Sequence, residues 1–168
     1  EDGGNPNDPG PKTGRLSRFT ADPQNPDVAL ANSETLLVTI PNDTDQHENG
    51  TLRFGSDGKL FMGHGEDSQS SITDVHSFLA QDLTDLRGKI LRLNEDGTAP
   101  GDNPFDDGTN SNKSKVYSYG LRNPFRFTLH PVSGEPYIGD VGWNDWEEFD
   151  RGRGKNFGWP CYEGVNPQ

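Results

Sequence analysis

Hydrophobic residues in this chain come in short bursts, each bounded by glycine, proline, aspartate or asparagine. RLSRFTAD sets Leu16 and Phe19 among polar neighbours, the pattern of a short edge strand, and Asp22–Pro23 ends it. ETLLVTI, Glu34 to Ile40, predicts a second strand halted by Pro41. LRFGSDGKLFMG reads as strand, turn, strand around Asp57–Gly58, because a turn needing positive φ takes glycine without steric cost. ILRLNEDGTAP carries a second such turn at Asp96–Gly97, and FTLHPVSGEPYIGD a third at Ser133–Gly134. One segment departs from this pattern. In Ser77 to Lys89, the residues Phe78, Leu79, Leu83 and Leu86 fall on one helical stripe, and Gly88 is placed to end it.

Counted from Asp57, Asp96 and Ser133, the turns lie 39 and 37 residues apart. A period near 40 with a hairpin in every unit predicts an all-β chain, a partial β-propeller of about three four-stranded antiparallel blades, with one short helical insertion. Residues 1–14 are turn formers and charges, expected as a flexible segment, and 15–168 form the propeller segment. Three blades do not close a ring, so the remaining blades of a longer chain, or other subunits, are expected to cover the open edges.

Composition agrees with short strands. Hydrophobic residues are 28% of the chain, with 21 glycines and 13 prolines, and an aromatic share of 10% argues against disorder throughout. A net charge of −12 makes nucleic acid an unsuitable partner, since phosphate binding needs clustered Lys and Arg. No apolar run approaches the roughly 20 residues of a membrane helix. With neither an initiator Met nor a signal-like stretch, the chain is expected to be mature, trimmed or excised. Cys161 is the single cysteine, either a lone thiol or half of a disulfide whose partner lies beyond Gln168. Sequons at Asn42, Asn49 and Asn112 are candidate glycosylation sites and lean toward an extracellular setting.

Five stretches occur in one order: DQHENGTLRFGSDGKLF, LRGKILRLNEDGTAPGDNPF, YGLRNPFRF, GDVGWNDWEEFD and KNFGWPCYEG. Together they resemble the glucose/sorbosone dehydrogenase family, which includes quinoprotein sugar dehydrogenases and the hedgehog-interacting-protein group. The resemblance covers about Arg15 to Gly164 and implies the central part of a six-bladed propeller. It further implies pyrroloquinoline quinone (PQQ) and Ca2+ as cofactors and oxidation of the anomeric carbon of an aldose. His47 matches the catalytic base, a role suited to a neutral imidazole that accepts a hydroxyl proton. Arg122, in Arg-Asn-Pro, matches a residue beside the quinone, with Asn123 holding the turn that aims it. Gln46 stands at a substrate position where glucose-oxidising members carry aspartate. Gly142 and Trp143 match main-chain calcium ligands, with Trp143 in place of a more usual proline, and Glu148 matches a further acidic ligand.

His64, His76 and His130 have no metal-ligand spacing and read as structural or surface residues. GHGED and DNPFDDGTNSN are rich in carboxylates; the second could bind calcium, but it lacks the 12-residue EF-hand spacing with its terminal Glu, and a solvated loop is favoured. Trp143, Trp146 and Trp159 suit blade packing better than sugar stacking. Two functions stay open: a PQQ-dependent sugar dehydrogenase, extracellular or periplasmic, and a non-catalytic propeller that binds protein or carbohydrate or serves in structural assembly.

Overall fold

The computed structural model describes residues 12–69 and 74–168. Strands β1 (Lys12–Arg18) and β2 (Thr35–Asn42) form an antiparallel pair with Leu16 opposite Val38. Strands β3 (Asn49–Phe54), β4 (Leu60–His64), β5 (Lys89–Leu93) and β6 (Val116–Tyr119) form a four-stranded antiparallel sheet in that order. Strands β7 (Arg126–Leu129), β8 (Pro136–Asp140) and β9 (Glu148–Arg151) make a three-stranded sheet, and β10 (Tyr162–Glu163) pairs with β11 (Asn166–Pro167).

The two-residue period of the central strands explains how these sheets stack. Leu60 and Met62 of β4, with Leu91 and Leu93 of β5, point one way and pack on Leu16, Val38 and Ile40. The alternate residues Phe61 and Ile90 point the other way, onto Leu121, Phe127 and Ile138. β4 and β5 are therefore buried along their whole length, which needs a sheet on each face. The result is an all-β partial propeller in which successive sheets share cores and the first strands of neighbouring sheets, β3 and β7, lie side by side.

Among the described residues only one sheet has four strands, where three such sheets were expected. The Asp57–Gly58 and Ser133–Gly134 turns close hairpins, with Gly58 and Gly134 at φ 75° and 71°. The turn at Asp96–Gly97 forms as well, but leads into a long connection through the single-turn helix α1 (Asn112–Lys115). Asn103 anchors that connection by donating to Arg92 O and Ser114 O, both at 2.8 Å.

The helical stripe is realised only in part. A 3-10 helix spans Val75–Gln81, turns and bends follow to Gly88, and Lys89 already opens β5. Asp82 and Asp85 capture the N–H groups of Thr84 and Arg87 at 2.8 and 2.9 Å, which offers the backbone an alternative to the helix. β2 runs through Pro41: among the described residues it pairs on one side only, so a missing N–H on the other costs no ladder bond. β1 opens at Lys12, inside the predicted N-terminal segment; residues 1–11 of that segment lie outside the described residues. On β3, an edge strand among the described residues, Leu52 and Phe54 stay uncovered at 45% and 71% exposure. Among the described residues no helix is long and apolar enough to cross a membrane.

Candidate functional site

Antiparallel pairing sets Asn49, His64, Lys89 and Tyr119 at one end of the four-stranded sheet. The loops leaving that end are joined by backbone bonds: Gly65 N–H to Glu48 O, Glu66 N–H to Arg122 O, and Leu121 N–H to Gly88 O. Val141 N–H donates to Asn123 O, which brings in the loop after β8. His47, Arg122, Asn123, Gly142 and Trp143 thus come from three separate loops to one rim.

His47 Nδ1 lies 2.6 Å from Glu66 Oε1, with the two side chains 8% and 0% exposed. Burial would raise the Glu66 carboxyl. Hydrogen bonds from His47, Ser68 and Trp159 more than offset this and hold it below the usual carboxylate range. An ionised Glu66 accepts the Nδ1 proton and so directs the lone pair to Nε2, the atom a base would use. His47 has φ 52°, a left-handed conformation that histidine visits more readily than most residues. Its backbone presses on Gly65, where an added Cβ would overlap the His47 carbonyl, so glycine is required there.

The loop carrying His47 is clamped from below. Asp67 accepts from Asp43 N–H at 2.5 Å and from Thr44 N–H and Oγ1 at 3.0 Å. Arg87 Nη1 in turn reaches Asp67 and Asp43 at 3.2 and 2.9 Å, while Nη2 pairs with Asp85 at 2.9 Å. Lys89, fully buried, donates to the carbonyls of Leu79, Ala80 and Arg87, and burial pulls its pKa down to about 7. Gln46, the expected substrate residue, is half-buried in this loop, its N–H donating to Thr44 Oγ1 at 3.2 Å.

Arg122 is 3% exposed, and its Nη1 donates to Val141 O at 3.1 Å and Gly142 O at 2.7 Å. Its guanidinium lies 5.4 Å from the centroid of Trp159. Asp140 sets the corner by accepting from the N–H groups of Arg122 and Asn123 at 2.9 and 2.6 Å. Glu163 fixes the following loop. Its carboxylate accepts from the N–H groups of Trp143, Asn144, Asp145 and Trp146. Gly142 must be glycine, since a Cβ would overlap Trp146 O.

Glu148 belongs to an acidic group that shares Asp140 with this corner. Ligand oxygens of Asp140, Glu148 and Asp150 lie within 4.8 Å of one another, and Asp150 Oδ2 is buried without a hydrogen-bond partner. Burial raises all three carboxyls: Asp140 well above its ordinary range, Glu148 above its own, and Asp150 up to about 7 with help from Glu148. An acid whose pKa is higher folded than unfolded holds more protons in the folded state between those two values, so its contribution to stability falls as pH rises through them. For Asp150 that window runs from 3.8 to about 7. In chelator, Asp150→Asn is expected to stabilise the protein increasingly from pH 5 to pH 7, read as a growing difference in thermal midpoint from wild type. A difference that does not change with pH would refute it.

Asn42 is 1% exposed within β2, so no glycan can sit on its amide in the folded chain; Asn49 and Asn112 are exposed. His64 is buried with Nδ1 2.6 Å from Gly65 O, His76 pairs with Asp43 and Asp74, and His130 stacks on Tyr137. Cys161 is exposed. A cavity of about 250 Å³ opens at the opposite end of the sheets, by the Asp57–Gly58 and Ser133–Gly134 turns. Its Arg92 is saturated by Asp57, Asp102 and Asn103. Sequence reasoning missed Glu66, Asp140, Asp150 and Glu163. With 27 acids in the chain, only contacts distant in sequence single these out.

The sequence profile of the family described as Glucose / Sorbosone dehydrogenase matches residues 5–168. The chain is 36% identical over 125 residues to an aldose sugar dehydrogenase of Escherichia coli, covering 73% of this chain and 32% of that protein. It is 29% identical over 172 residues to the HIPL2 protein of Arabidopsis thaliana, covering 89% and 24%. The PQQ-bound aldose sugar dehydrogenase of Streptomyces coelicolor superposes with a TM-score of 0.73 at 30% identity, covering 90% of this chain and 41% of that structure. The chain thus spans a third or less of the length of these curated relatives. Fold, motif order and profile agree, and the chain belongs to the glucose/sorbosone dehydrogenase family.

Proposed function

We propose that this chain is the histidine- and arginine-bearing part of a PQQ-dependent dehydrogenase that oxidises the anomeric carbon of an aldose. The observation that carries this reading is the His47–Glu66 pair, a buried imidazole against an ionised carboxylate, on the same rim as Arg122. His47 Nε2 takes the proton of the anomeric hydroxyl while the hydride on the same carbon departs, leaving the lactone. Bound PQQ would supply the two-electron hydride acceptor. Arg122 would supply a fixed positive charge beside that acceptor, and Asn123 shapes the turn that holds it. Gln46 lies one residue from the base and is assigned to substrate contact.

Calcium fits the acidic group best. A hard cation takes oxygen ligands, and Asp140, Glu148 and Asp150 offer three converging carboxylates, one with a buried oxygen that nothing satisfies. The carbonyl pair at Gly142 and Trp143 is the poorer donor set, because Gly142 O accepts from the Arg122 guanidinium, which would set like charges side by side. The exposed sequons at Asn49 and Asn112 support an extracellular setting.

The test is titration of the full-length protein with calcium and then PQQ, followed by calorimetry, quinone absorbance and aldose-dependent dye reduction. Calcium is expected to bind and Glu148→Gln to weaken it about tenfold or more; equal affinities remove Glu148 from the site. Absence of quinone binding would favour the second reading, a non-catalytic binding propeller. That reading draws its support from Asn49, exposed within a sequon two residues from His47, where a glycan would crowd the rim.

A further inference from the structure

Trp159 is the largest of the fully buried side chains, 1% exposed, yet its contacts are polar as well as apolar. Its indole Nε1–H donates to Glu66 Oε2 at 3.2 Å. The other Glu66 oxygen, Oε1, serves His47 Nδ1 at 2.6 Å and Ser68 Oγ at 2.7 Å. The opposite attachment is to Arg122, whose guanidinium lies 5.4 Å from the Trp159 ring. The ring is itself fixed, with Trp159 N–H donating to Gly120 O at 3.0 Å and the edge of Trp143 against it at 72°.

From this geometry we infer that Trp159 is a positioning residue that couples the His47–Glu66 pair to Arg122; the inference rests on the dehydrogenase reading above. A buried carboxylate with one oxygen unsatisfied is under pressure to rotate. The indole N–H removes that pressure by occupying Oε2, so Oε1 stays aimed at His47 and the proton-accepting nitrogen keeps its direction. The same rigid ring sets the height of the guanidinium through cation–π attraction. One aromatic plane therefore fixes the spacing between the base and the positive charge, two groups whose loops leave different sheets.

The indole N–H resonances of Trp143, Trp146 and Trp159 and the His47 ring resonances report this coupling without any cofactor. In the full-length protein, His47→Gln and Glu66→Gln are expected to move the Trp159 indole resonance and leave that of exposed Trp146 in place. Trp159→Phe keeps an aromatic plane under Arg122 but deletes the donor. It is expected to move the His47 ring resonances and to lower kcat of the quinone-loaded protein about tenfold, the scale seen when an orienting partner is lost, with sugar KM little changed. Trp159→Leu, which also removes the cation–π contact, is expected to lose more. An indole resonance indifferent to both His47→Gln and Glu66→Gln would overturn the proposal. So would a Trp159→Phe variant with unmoved imidazole resonances. If the wild type shows no quinone-dependent turnover, the dehydrogenase reading fails by itself, and the resonances alone decide the coupling.

Discussion

In the full-length protein supplied with PQQ and calcium, His47→Gln is expected to lower aldose kcat by about 10²–10⁴-fold, the range for loss of a general base. Glutamine can still donate an amide N–H toward Glu66, so the buried carboxylate keeps a partner and thermal stability should change little. Glu66→Gln makes the complementary test. It removes the charge that fixes the imidazole tautomer while preserving shape, and should reduce kcat less than loss of His47 does. Stopped-flow reduction of the quinone by sugar isolates the chemical step from reoxidation. Turnover undiminished in His47→Gln would remove the histidine from the mechanism.

The second large effect concerns the loop after β8. Glu163 is 0% exposed and accepts from four successive backbone N–H groups, 143 to 146. These groups lie on Glu163 as donors do in an anion-binding nest. Burial would raise this carboxyl, but the four donors prevail and hold its pKa below the ordinary value. Glu163→Leu removes the acceptor and leaves the donors crowded around an apolar side chain, at a cost of about 3 kcal/mol from charge-assisted hydrogen bonds lost. A depressed acid pKa contributes stability above the unfolded value and loses it as pH falls through the folded one. The deficit of Glu163→Leu against wild type should therefore be full at pH 7 and shrink below about pH 4. Denaturant unfolding at the two pH values measures it. An undiminished deficit at low pH would mean that packing, and not charge, holds the loop.

The blades were legible because strand burial here has a simple period. Leu60 and Met62 against Phe61 announce two buried faces, and Asp57–Gly58 and Ser133–Gly134 announce the turns between strands. The stripe Phe78, Leu79, Leu83, Leu86 misled because two aspartates within it prefer to bond their own backbone, a competition that hydrophobic spacing does not register. At the rim, His47 and Arg122 were legible through motif order. Their supports were not: Glu66 and Trp159 are 93 positions apart, and Asp140 acts on the backbone of residues 17 and 18 positions away. No local pattern encodes a partner at such distance. Asn42 shows the converse failure, a sequon whose triplet is intact but whose asparagine the strand buries.

The imidazole sits where the chain passes from one sheet to the next, in the connection between β2 and β3. Its address is thus set by a joint between two wedges, and the fastening at that joint is ionic: Arg87 gripping Asp43 on one side and Asp67 on the other. Since Arg87 and Asp67 are nearly out of water, salt that screens ordinary surface pairs has little hold on their bond, while Asp43 is the more open partner at 44% exposure. The buried half thus keeps the rim in register at ionic strengths that loosen pairs on the surface.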